Sequence, residues 1–176
     1  MILGTDMKRT FLALATALAL AACGQGGTQQ AAGPVDESSE GACAAVTNSD
    51  AVLGAGATAV ASSDLPGATG SCSFASADGL KTADLILYDA SSLGETTPEA
   101  QIESLTSRWA ENGVTPQAVE GLGDSATLAV GLPGDQAQIV IRKGGAIATV
   151  VATSGDAALT SEQLVRQLAE QVAAGL

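Results

Sequence analysis

The chain has no histidine. That removes Ser-His-Asp and Cys-His nucleophile arrangements and every His-based metal site. Lysine is scarce too: past the amino-terminal segment only Lys81 and Lys143 remain, and neither sits in a Ser-x-x-Lys context. No G-x-S-x-G and no P-loop pattern occurs. Positive charge is thin, with 7 basic residues against 19 acidic ones and a formal charge of −12. The bases are scattered, so binding to nucleic acid or anionic lipid by bulk charge is disfavoured. Aromatics make up only 2% of the chain. Neither a cofactor nor a metal is expected. In so acidic a chain no carboxylate pair stands out, and solvated Asp and Glu are the default. The sequence points away from an enzyme.

What is present begins at the amino terminus. Met7-Lys8-Arg9 is a short cationic segment, followed by the apolar, uncharged stretch from Phe11 to Leu20. Charge, apolar stretch and small residues in that order form the secretory signal pattern. The stretch is too short to span a bilayer, which needs about 20 apolar residues. Met7 stands directly before the charges and reads as the true start. Leu20-Ala21-Ala22-Cys23 resembles the lipobox of bacterial lipoproteins. The resemblance covers residues 7–23. It implies that residues 1–22 are cleaved and that the Cys23 thiol carries a diacylglycerol. Two or three acyl chains give stable anchoring, where one is marginal. The expected place is the cell membrane, on its extracytoplasmic side.

Residues 24–41 are rich in Gly, Gln, Ser and Glu, with one β-branched apolar residue and no aromatic. Such a segment buries too little surface to offset its ordering entropy, and it reads as a flexible tether. A coil of that length spans roughly 20–25 Å on average. With Cys23 assigned to the lipid, Cys43 and Cys72 remain as a pair. Export places them in an oxidising compartment, where a disulfide is the default. There is no C-x-x-C for redox chemistry and no zinc-ligand spacing.

Residues 42–176 have the size of one domain. The pattern predicts a short helix or two turns over 43–53, stopped by Gly54, and a loop over 54–70. Strands follow at 71–77 and 81–89 around the Asp78-Gly79 hairpin signal. The apolar run Leu85-Ile86-Leu87-Tyr88 reads as a strand covered on both faces. Thr97 and Pro98 start a helix that ends at Asn112-Gly113. Ile102, Leu105 and Trp109 share one of its faces. Strands are expected at 114–120, 125–132, 136–142 and 146–153, with Ala126, Leu128, Val130 and Leu132 on one side of the second. A terminal helix over 160–174 carries the capping-box spacing Thr160/Gln163 and an apolar stripe. The expected fold is α+β: a mostly antiparallel sheet of about six strands with helices packed on it, in one domain.

This layout resembles the small single-domain lipoproteins of unknown function found in actinobacterial-type envelopes. The matching pieces are Cys43-Ala44-Ala45-Val46 with Asp50 to Gly54, then Gly70 to Phe74, then Val119 to Ala126, then the terminal helix. The resemblance implies a surface-tethered sensing or binding domain. It carries over no catalytic residue.

Gly121-Leu122-Gly123-Asp124-Ser125 looks like a phosphate loop but precedes a strand pattern rather than a helix, so a turn is expected. Asp124, Asp135 and Asp156 sit in Gly-rich turns without calcium-loop spacing. Phe74, Tyr88 and Trp109 are the only aromatics past Cys23. As core residues they need no further explanation. As a site, they outline a candidate ligand cleft between helix and sheet, with Arg108 or Arg142 at its rim for an anionic headgroup. Two functions follow from this reading. The first is a tethered, non-catalytic interaction or sensor domain contacting an envelope protein or glycan. The second is a carrier of a small apolar or lipid ligand.

Overall fold

The computed structural model describes residues 37–62 and 65–176. The expectations for the signal segment, the lipobox with Cys23 and residues 24–36 of the tether lie outside the described residues. Within them there are four helices and seven strands. The helices are α1 (Glu37–Ala44), α2 (Ser49–Leu53), α3 (Pro98–Glu111) and α4 (Ser161–Gly175). The strands are β1 (Thr58–Ser62), β2 (Gly70–Ala75), β3 (Lys81–Asp89), β4 (Gln117–Val119), β5 (Ser125–Leu132), β6 (Gln136–Lys143) and β7 (Ala146–Ser154). They form one sheet in the order β1-β2-β3-β7-β6-β5-β4, and every pairing is antiparallel. The expected α+β class with an antiparallel sheet is what the chain builds, with one strand more than six.

Local chemistry sets most of the boundaries. The Ser76 N–H donates to the Lys81 carbonyl at 2.9 Å, and Gly79 takes φ 71° between them, closing the β2–β3 hairpin. Thr97 Oγ1 accepts from the Ala100 N–H at 3.2 Å, with Pro98 in the first turn where its missing donor costs nothing. Thr160 and Gln163 cap α4 reciprocally, as their spacing predicts. No basic residue lies in the last turn of α4. Lys143 supplies that charge from the β6–β7 hairpin, donating to the Ala173 carbonyl at 2.9 Å.

Three expectations need correcting. The 54–70 segment is not all loop, because Thr58–Ser62 pairs with β2 from Thr58↔Ala75 to Ser62↔Ser71. Its Thr-Ala-Val-Ala-Ser sequence has too little apolar alternation to announce a strand, and the free edge of β2 supplies the ladder. The predicted strand over 114–120 shortens to Gln117–Val119. Residues 37–41 of the tether segment belong to α1 rather than to a coil. Ala42 at its far end is fully buried, and this contact holds a helix whose own sequence favours none.

The sheet also separates two cores rather than covering one. The larger lies under α1, α2 and α4 and contains Leu53, Cys72, Phe74, Leu85, Leu128, Ile139, Ile141, Val150, Leu164 and Leu168. The smaller lies under α3 and contains Trp109, Ala129, Leu132, Val140 and Ile147, with Tyr88, Ile102 and Leu105 packed against it. Leu132 therefore does not share a side with Ala126 and Leu128. Val130 pairs with Ala137 and Leu132 with Gln136, so Gly131, at φ 78°, is an extra residue in the strand. That bulge turns Leu132 to the α3 side.

Candidate functional site

Of the five residues proposed for a helix–sheet cleft, Tyr88, Arg108 and Trp109 come together, while Phe74 and Arg142 lie elsewhere. Phe74 packs in the larger core, on the opposite side of the sheet from Trp109 and Tyr88. Arg142 pairs with Glu99 at 3.2 Å, at the amino-terminal end of α3. Arg108 lies at the other end of that helix, one residue from Trp109. Tyr88 packs beside the Trp109 cluster, and partial burial raises its phenol above the usual range, against a lowering effect of Arg108.

The seam between α3 and the sheet is filled by the protein's own side chains. Trp109 is 2% exposed and donates its indole N–H to Gln138 Oε1 at 2.8 Å. A cleft of about 270 Å³ remains beside it, between Arg108 of α3 and its C-cap Asn112 on one side and Pro133 of the β5–β6 turn and Gln136 of β6 on the other. Ligand clefts usually run from about 300 to 1,000 Å³.

Cys43 and Cys72 lie at bonding distance, with their Cα atoms 5.1 Å apart. The bond joins the carboxyl end of α1 to β2. It closes a loop holding α2 and β1, the two shortest-reaching elements on that side.

The Gly121–Ser125 motif is a turn, as its strand context implies. The Asp124 N–H donates to the Arg142 carbonyl at 2.7 Å, and Asp124 Oδ2 accepts from the Gly144 N–H at 2.7 Å. The motif thus clamps β5 to the β6–β7 hairpin, and its carboxylate is already occupied by backbone. Asp135 sits in a left-handed turn at φ 56°, and Asp156 faces Lys81 at 3.7 Å. Among the described residues, no group of three or more Cys, Asp or Glu side chains gathers in a way that could hold a metal ion.

One surface was not visible in the sequence. On the larger-core face, α1 covers β1–β3 and α4 covers β6–β7. On the other face α3 lies chiefly over β6 and β7, with Leu132 of β5 and Tyr88 of β3 at its margins. The half of that face opposite α1 has no covering helix among the described residues. The register places Val60, Ser71, Ser73, Asp84, Ile86 and Val151 on it. A groove of about 360 Å³ crosses these strands, floored by the small side chains Ser71 and Ser73 and walled by Leu65 and Ile86. Val60 is 59% exposed and Leu65 41%. Among the described residues the exposed Asp84 is the one ionisable residue lining it, and it accepts a hydrogen bond from the Ser73 hydroxyl. At the buried end of the same face Thr149, paired with Ile86 in the ladder, is 2% exposed, and its hydroxyl has no partner among the described residues. This surface depends on β1, so sequence patterning that read 54–70 as a loop could not reach it.

No protein-family model matches the chain, and no curated protein or solved structure shows significant similarity to it.

Proposed function

We propose that the protein is a membrane-anchored extracytoplasmic lipoprotein whose folded domain is a non-catalytic interaction module of the cell envelope. The observation that carries this reading is the pairing of Cys43 with Cys72. A bonded pair fits an oxidising compartment. It also leaves Cys23 as the remaining cysteine of three, and Cys23 is the one at the end of the lipobox-like Leu20-Ala21-Ala22-Cys23. The arrangement of the domain supports interaction over catalysis. Asp78, Asp89 and Asp124 hold turns, Asp156, Glu99 and Glu162 pair with bases, and Phe74, Tyr88 and Trp109 pack into or against the two cores. An acidic surface keeps the domain soluble and away from anionic headgroups.

Metabolic labelling with an alkyne fatty acid tests the anchor. The native chain incorporates the label and migrates as a processed form. Cys23→Ala abolishes the label and accumulates the precursor. Equal labelling of the two chains refutes the proposal.

A further inference from the structure

The half-sheet opposite α1 has the composition of a docking surface and a charge that selects its occupant. We infer that it receives a cationic, apolar peptide segment of a partner protein, laid in the groove between Leu65 and Ile86 with a basic side chain at Asp84. This deepens the reading of the domain as an interaction module and does not depend on Cys23.

Three observations support it. The groove is apolar at its walls, at Leu65, Ile86 and Val151, and shallow at its floor, where Ser71 and Ser73 leave room for side chains from outside. Its volume of about 360 Å³ lies at the lower end of the usual range for ligand clefts, which suits inserted side chains better than a whole drug-sized ligand. Val60 extends the apolar surface to the sheet edge, where β1 carries no charge, no proline and no bulge to discourage a partner.

Charge complementarity then chooses among occupants. Among the described residues the ionisable group in the groove is the exposed Asp84 carboxylate, and one of its oxygens accepts from Ser73. The chain carries a formal charge of −12, and three of the five bases past the amino-terminal segment are paired within the domain: Lys81 with Asp156, Arg142 with Glu99 and Arg166 with Glu162. A second copy of the chain meets like charge. An anionic lipid does the same, and an uncharged acyl chain in the groove desolvates Asp84 with nothing to pair it. A basic, apolar segment gains steering from the whole domain and a local ion pair in the groove.

The test uses the purified full chain in a zwitterionic detergent, which holds it whether or not Cys23 is acylated, with the detergent alone as the blank. The probe is a synthetic Leu/Lys peptide carrying a photoreactive leucine, and the control is its Leu/Glu counterpart. The Leu/Lys peptide is expected to bind and to crosslink at Val60, Leu65, Ile86 or Val151, and the Leu/Glu peptide to do neither. Asp84→Asn, an isosteric change at an exposed position, is expected to weaken binding about tenfold. Glu103→Gln, exposed on α3, is expected to leave it unchanged. Crosslinks mapping elsewhere, equal loss with Glu103→Gln, or an Asp84→Asn affinity equal to wild type each overturn the inference. So does displacement of the peptide by a fatty acid with no effect of Asp84→Asn. None of these results alters the outcome of labelling at Cys23, so the two proposals fail separately.

Discussion

Trp109 of α3 donates its indole N–H to Gln138 of β6 at 2.8 Å, across the seam that joins the helix to the sheet. The bond satisfies the one polar atom of a side chain that is otherwise surrounded by Ala129, Leu132, Val140 and Ile147. A buried indole whose donor is paired behaves as core. Its emission should be blue-shifted and resistant to aqueous quenchers. Trp109→Ala should cost about 3–5 kcal/mol, through lost transfer energy and the cavity left behind. Chemical denaturation measures both. A red-shifted, readily quenched indole would mean that α3 does not seal this face.

The Cys43–Cys72 bond spans a sequence separation of 29. On the chain-entropy account, closing a loop of that length stabilises by roughly 3–4 kcal/mol. Reduction should lower the melting temperature, with α1 and β1 losing amide protection first. Two titratable thiols at these positions in the unfolded, unreduced chain would contradict the bond.

Two glycines of one turn should respond differently to the same change. Gly121 and Gly123 both take positive φ, at 81° and 64°. A Cβ on Gly121 meets nothing within 4 Å, whereas one on Gly123 collides with the Arg142 carbonyl. Gly121→Ala should therefore cost only the left-handed strain, about 1–2 kcal/mol. Gly123→Ala should cost distinctly more, because it also pushes apart the Asp124–Arg142 hydrogen bond. Equal melting temperatures for the two variants would refute this.

Thr149 offers a stabilising substitution. Its hydroxyl is buried without a partner among the described residues, and such a group typically costs about 1–3 kcal/mol. Thr149→Val keeps the shape and removes the unpaired oxygen. An increase in stability of about 1 kcal/mol is expected. Destabilisation would show that the hydroxyl is satisfied in solution.

Acid should release two turn-forming carboxylates. Asp78 accepts from the Ser76 hydroxyl at 2.6 Å and from the Leu80 N–H at 3.0 Å. Asp89 accepts from the Ser91 hydroxyl and from the Ser92 N–H at 2.9 Å. The hydroxyl bond is the leading cause that holds each carboxyl below its ordinary range. A pKa depressed in the folded state means a contribution fully present above the unfolded value near pH 4 and lost as pH falls through the folded one. Asp78→Asn with Asp89→Asn should lower the melting temperature at pH 7, and the gap to wild type should close as the pH approaches 2. A gap that stays constant across that range would show that neither carboxylate is specifically stabilised.

The sequence by itself determined the features whose physics is local. Thr97-Pro98 and the Thr160/Gln163 pair start helices because a side chain can reach the free N–H groups of its own first turn. Asp78-Gly79 and Lys143-Gly144-Gly145 reverse strands because Gly79 and Gly144 accept positive φ. The pairing of Cys43 with Cys72 was legible from cysteine arithmetic. Only the tertiary structure decided the rest. β1 is a strand because β2 presents an edge to it, and its own residues say little. Leu132 changes sides because one extra residue, Gly131, reverses the alternation that follows it. Helices α3 and α4 have similar amphipathic stripes, yet they lie on opposite faces of the sheet. A stripe specifies that a face must be buried and not which surface buries it. For the same reason the half-sheet around Asp84 and Ile86 left no mark in the sequence: among the described residues it is defined by the place where no helix lies.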